Sequence, residues 1–153
     1  MNNPSFCRLL LMFLLQLLIT SEVLANTLIL ICTRTERDFS ETYELKMQSA
    51  SSANPSPKVY LDGRDLDVIG SEGRQYVKNV TITKQKASYL LSTQFDAEAL
   101  EGTSYSAGSV TSIVTIDRET GKLRKLDTIQ GGILGASLGD GTKSYEEQCV
   151  TQP

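Results

Sequence analysis

The chain has 153 residues, a formal net charge of −3, and neither histidine nor tryptophan. Without histidine it lacks the usual general base at neutral pH, the commonest metal ligand, and any serine-histidine or cysteine-histidine nucleophile system. The mild charge and scattered basic residues, densest at Lys122, Arg124 and Lys125, provide no stripe for nucleic acid.

Residues 1–25 read as a secretory signal peptide. Arg8 and the amino terminus make a weakly positive start, LLLMFLLQLLI over residues 9–19 makes a short apolar core, and Val23-Leu24-Ala25 sets cleavage after Ala25. The rival reading is a retained membrane anchor. The run is too short for a hydrocarbon core of about 30 Å, and Ser21, Glu22 and Asn26 interrupt its extension. No stable membrane anchor is therefore expected after cleavage. Residues 26–153 remain, enough for one domain, destined for the periplasm or beyond the cell.

Cys7 leaves with the signal, so Cys32 and Cys149 remain, one near each end. An even pair in an oxidising compartment reads as a disulfide. The alternatives are two unpaired thiols or a redox pair, and a redox pair normally sits close in sequence.

Along the mature chain, short alternating runs recur. TLILICT (27–33) is a β-prone run. In FSETYELKM, Phe39, Tyr43, Leu45 and Met47 share one parity, with Glu41 the exception. QSASSANPSP (48–57) reads as a surface loop. KVYL places Val59 and Leu61 on one face before Asp62-Gly63 turns the chain. VKNVTIT sets Val80 and Ile82 on the face away from Thr81. In SYLLSTQF, Tyr89, Leu91 and Phe95 share a face, with Thr93 between them. SVTSIVTI gives Val110, Val114 and Ile116 one side and Ile113 the other. DAEALEG (96–102) invites a helical turn. The five glycines of GGILGASLGDG (131–141) mark either a mobile loop or a strand packed closely on its neighbour, and a loop is the expectation. Alternation over short segments separated by turns predicts an all-β fold: one antiparallel barrel or sandwich of about seven or eight strands.

The most patterned stretch is SIVTIDRETGKLRKL (112–126). Two strand-like runs flank Asp117–Gly121, which predicts a hairpin. Asp117 accepts from the amides just ahead, Gly121 takes the left-handed conformation, and Arg118 and Glu119 point to water. Asp117 and Lys122 are placed to pair across its mouth. Ile116, Asp117, Arg118, Thr120, Gly121, Lys122 and Leu123, with Cys149 and Cys32, resemble a pattern in small exported bacterial proteins that carry an early and a late cysteine. The resemblance covers the last third of the chain and implies an exported β domain, with no activity attached.

Carboxylates are the remaining chemistry. Asp62, Asp65 and Asp67 in LDGRDLDVIG lie close together but lack the ligand spacing of a helix-loop-helix calcium site, so they read as a solvated turn. Gly139-Asp140-Gly141-Thr142-Lys143-Ser144 departs from a phosphate loop, because Thr142 separates glycine from lysine. Asn79-Val80-Thr81 fits the N-glycosylation triplet, which matters only in a eukaryotic host. No catalytic set, metal site or cofactor emerges.

Three functional expectations follow. The first is a non-catalytic binding, inhibitor or accessory module meeting an extracytoplasmic partner protein through loops 48–57 and 131–143. The second is a barrel carrying an apolar small molecule, lined by Tyr89, Leu91, Phe95, Val114 and Ile116, residues that equally suit a filled core. The third is a carboxylate-based hydrolase.

Overall fold

The computed structural model describes residues 27–52, 54–70 and 73–152, and the expected signal peptide lies outside them. In chain order the strands are β1 (Thr27–Glu36), β2 (Phe39–Gln48), β3 (Lys58–Leu61), β4 (Arg64–Asp65), β5 (Val68–Gly70), β6 (Gly73–Ile82), β7 (Lys86–Phe95), β8 (Glu98–Leu100), β9 (Thr103–Tyr105), β10 (Gly108–Asp117), β11 (Lys122–Gly131) and β12 (Gly141–Thr151). One short helix, α1 (Gly132–Leu138), joins β11 to β12. The β-branched and aromatic content of the long strands suits a pleated, half-buried surface.

Ten strands form one antiparallel sheet in the order β4-β3-β2-β1-β12-β11-β10-β7-β6-β5, and β8 pairs with β9 separately. The sheet curls into a nearly closed barrel. Seven or eight strands were expected in it. The two extra strands, β4 and β5, are two and three residues long, too short for alternation to register in a sequence.

Those two short strands lie at opposite edges of the sheet, yet only Leu66 and Asp67 separate them in the chain. The polypeptide thus steps directly from one edge to the other. The Leu66 amide donates to the Val59 carbonyl at 2.9 Å, and Gln75 Nε2 donates to the Leu66 carbonyl at 2.7 Å. Asp67 Oδ1 accepts from the Val77 amide at 2.6 Å, while Lys58 Nζ donates to Asp65 Oδ2 and Asp67 Oδ2, each at 2.9 Å. The acidic cluster read as a solvated turn is the clasp of the barrel. Asp62 has a separate duty: at φ +48° it accepts from the Glu44 amide at 2.8 Å. Burial pushes the Asp65 carboxyl up, but the Lys58 ammonium and the Asp67 amide outweigh it and hold the group below its ordinary value.

Inward side chains fill one half of the barrel: Leu28, Leu30 and Cys32 from β1, Leu45 and Met47 from β2, Val59, Ala87, Ile116, Leu123 and Cys149. Each large apolar side chain taken from water there contributes about 1.5–3 kcal/mol. Cys32 and Cys149 face each other on paired strands and are bonded, closing a loop of 117 residues. A bulge between Lys78 and Thr81 shifts the parity of β6, with Asn79 exposed at φ +54°. Val77 before the bulge and Val80 and Ile82 after it therefore all pack on the core.

At Asp117–Gly121 the chain makes a hairpin tip. Asp117 Oδ1 accepts from the amides of Thr120 at 2.8 Å and Glu119 at 3.0 Å, and Gly121 has φ +74°. The Thr120 amide, then its hydroxyl and the Glu119 amide, hold the Asp117 carboxyl below its ordinary value. Two details differ from expectation. Lys122 pairs with Glu146 at 2.9 Å, because β12 runs alongside. Arg118 turns from water to the neighbouring β6–β7 turn, its guanidinium donating to the Thr83 carbonyl and its amide to the Gln85 carbonyl at 2.8 Å.

The glycine run is not a long loop. Gly131 and Gly132, at φ +63° and +64°, turn the chain into α1, and Gly141 already belongs to β12. A Cβ on Gly108 would lie 2.7 Å from the Gly131 backbone, so close strand packing explains part of the run. Residues 98–105 form the β8–β9 hairpin rather than a helical turn, bending at Glu101 and Gly102 with positive φ.

Candidate binding cavity

On five strands the inward-facing positions change character at one level of the barrel. On β1, Leu28, Leu30 and Cys32 give way to Arg34. On β2, Met47 and Leu45 give way to Tyr43 and Glu41. On β12, Cys149 is followed inward by Glu147, on β11 Leu123 by Lys125 and Asp127, and on β10 Ile116 and Val114 by Ser112. The apolar half is packed. The other half, away from the Asp117–Gly121 hairpin, holds an open-mouthed cavity of about 460 Å³.

Nearly every wall contributes to it. Arg34, Glu41, Tyr43, Lys125 and Glu147 supply charge and a phenol, Asp62 and Arg64 come from the seam side, and Leu61, Leu66, Leu91 and Val114 form an apolar wall. Tyr43 donates its hydroxyl to Glu147 Oε2. Burial first, then that bond and the Glu147 charge, push the Tyr43 phenol far above its ordinary range, so it stays protonated. Arg34 Nε donates to Glu36 Oε1 at 3.0 Å, and Glu36, with support from Glu147 and Glu41, holds the guanidinium firmly charged. Lys125 Nζ lies 3.0 Å from Asp127 Oδ2. Arg34 and Lys125 also sit over the Tyr145 ring, 5.9 and 5.6 Å from its centroid.

Two groups in the cavity wall stand out. Tyr89 and Ser112 are 7% and 4% exposed, and neither hydroxyl has a hydrogen-bond partner among the described residues. Burial, then the charges of Glu147 and Asp127, push the Tyr89 phenol well up, so it remains a donor. Asp127 Oδ1, beside Ser112 in the strand register, is buried and also lacks a partner. Buried polar groups are normally hydrogen-bonded; Asp127 Oδ1 departs from that rule, and the two hydroxyls border the cavity without a partner among the described residues.

A second, shallower cavity of about 600 Å³, open to solvent, lies along β4, β5, β6 and the end of β7. Arg64 lines it together with Val68, Arg74, Gln75, Thr93, Gln94 and Phe95. Arg64 therefore borders both spaces. Gln75 is fixed between them, donating to Leu66 and accepting from Thr93 Oγ1 at 3.2 Å.

Of the residues expected to line a carrier, Tyr89, Leu91 and Val114 border the main cavity and Phe95 the second, whereas Ile116 is 1% exposed in the packed core. Cys32 and Cys149 sit in that core, and Asp117 and Gly121 lie at the other end of the barrel. The sequence reading missed Arg34, Glu41, Arg64, Ser112, Lys125 and Glu147. A signal for several was present: a polar residue at an inward parity, Glu41 most plainly. Among the described residues no group of three His, Cys, Asp or Glu is placed to hold a metal ion, and no helix is long and apolar enough to cross a membrane. Comparison with family models, curated proteins and solved structures finds no match to this chain.

Proposed function

We propose that this chain is an exported, non-catalytic binding module that takes a small molecule into the polar half of its barrel. One observation carries the reading: a cavity of about 460 Å³ lined by two largely buried residues, Tyr89 and Ser112, whose hydroxyls have no partner among the described residues. Ligand sites in small barrels combine an apolar surface with a few convergent polar groups, and Leu61, Leu66, Leu91 and Val114 supply that surface here. The Cys32–Cys149 bond supports an oxidising destination. A partner protein gripped through loops 48–57 and 131–143 has less support, since the second segment is a helix between strands. The mixed lining favours an amphipathic ligand over a wholly apolar one.

The test is native mass spectrometry of the purified mature chain, followed by thermal-shift screening of small amphipaths, on wild type and Leu91→Trp. Wild type should carry or bind a small molecule. Leu91→Trp, with its β-type far-ultraviolet spectrum retained, should lose it because the indole occupies the cavity. Binding that survives this filling, or a wild type that takes no small molecule, would refute the reading.

A further inference from the structure

We propose that the ligand is an amphipathic organic anion, its charged group held by Arg64 and Arg74 and its apolar part lodged in the cavity behind Arg64. This inference rests on the small-molecule reading above and adds the ligand's charge and orientation.

Most cations near the cavity are already engaged. Arg34 is bonded to Glu36, and Lys125 to Asp127. Lys58 is occupied by Asp65 and Asp67. The side chains of Arg64 and Arg74 have neither an ion pair nor a hydrogen bond among the described residues. Both line the second cavity, and no carboxylate among the described residues lines it with them. A whole chain of net charge −3 thus gathers at one concave place two guanidinium groups that are unmatched among the described residues. Like charges there repel, and an anion bound at both relieves that repulsion. The guanidinium fork matches a carboxylate, sulfonate or phosphate oxygen pair.

The neighbouring groups suit the same ligand. Thr93 and Gln94 add hydroxyl and amide dipoles at the mouth. Because Arg64 borders both spaces, an anion seated on it places the rest of the molecule against Leu61, Leu66 and Leu91. Tyr89 and Ser112 then lie further in, as donors or acceptors for a polar atom along the ligand.

Isothermal titration of the mature, disulfide-bonded chain with octanoate, octan-1-ol and octylammonium separates the possibilities. Octanoate should bind at least about tenfold tighter than octan-1-ol, as expected for a charge-assisted hydrogen-bonded pair, and octylammonium weakest. Arg64→Gln with Arg74→Gln should abolish the preference for octanoate over octan-1-ol. If octanoate and octan-1-ol bind equally to wild type, or the double variant keeps the preference, the anion assignment is overturned while the cavity reading stands. If none of the three binds, or if octan-1-ol binding persists in Leu91→Trp, the cavity reading itself falls and the anion assignment goes with it.

Discussion

Lys58 and Asp67 meet across the seam of the barrel, ammonium to carboxylate at 2.9 Å, while the other oxygen of Asp67 takes the Val77 amide at 2.6 Å. One side chain thus joins β3 to β6, two strands that do not pair through their backbones. A sheet edge normally presents unpaired amides and carbonyls. Here the first residues after β4 occupy that edge from within the same chain.

Asp67→Ala removes both bonds and should destabilise the fold by about 1–3 kcal/mol. Asp67→Asn should cost less, because its carbonyl oxygen still accepts from Val77. Urea denaturation measures the difference, and amide exchange at Val77 should rise selectively in the alanine variant. Equal stability of Asp67→Ala and wild type would show that the clasp contributes nothing.

The clasp also has a pH window. Asp65 titrates below its ordinary 3.8 when folded, so its contribution is complete above that value and is lost as pH falls through the lower folded value. Lys58 is raised above its ordinary 10.5, chiefly by Asp65 and then Asp67, so its contribution is complete below 10.5 and is lost as pH rises through the folded value. Between these limits the denaturation midpoint should be insensitive to the clasp's titration. On the acid side, wild type should lose more stability than Asp65→Asn over the same interval, and parallel curves would contradict the assignment.

Gly121 does two things at once. Its φ of +74° suits glycine, and an added Cβ would overlap the Cys149 carbonyl, while the Cys149 amide already donates to the Gly121 carbonyl at 2.7 Å. Gly121→Ala should therefore destabilise by about 1–3 kcal/mol. Glu119→Ala, exposed at the same tip, should stay within about 0.5 kcal/mol. Thermal denaturation of the two variants decides it.

Replacing both Cys32 and Cys149 by serine frees a loop of 117 residues in the unfolded chain. The chain-entropy argument assigns that loop about 4–5 kcal/mol, and loss of buried sulfur contacts acts in the same direction. Denaturation with and without reductant should show a drop of this order in wild type and no effect of reductant in the variant.

How much of this could be read beforehand follows from length scale. Ten-residue strands such as β2 and β10 repeat their parity often enough to identify a face, and the exception at Glu41 already pointed to the cavity. The closure could not be read, because Arg64–Asp65 and Val68–Gly70 are shorter than any alternation and their meaning depends on Val77, ten residues from Asp67. The α1 helix was hidden by glycines, whose weak helical preference argued for a loop. Arg64 carried no local signal, since its importance lies in bordering two spaces that only the closed sheet creates.

The sulfur bond between β1 and β12 has a mechanical consequence. Tension arriving along the segments that leave Thr27 and Thr151 passes through Cys32 and Cys149, and the 116 residues enclosed between them carry none of it. A pulling experiment on the oxidised protein should release only the short tails, and the cavity should hold its shape under load until the bridge is reduced.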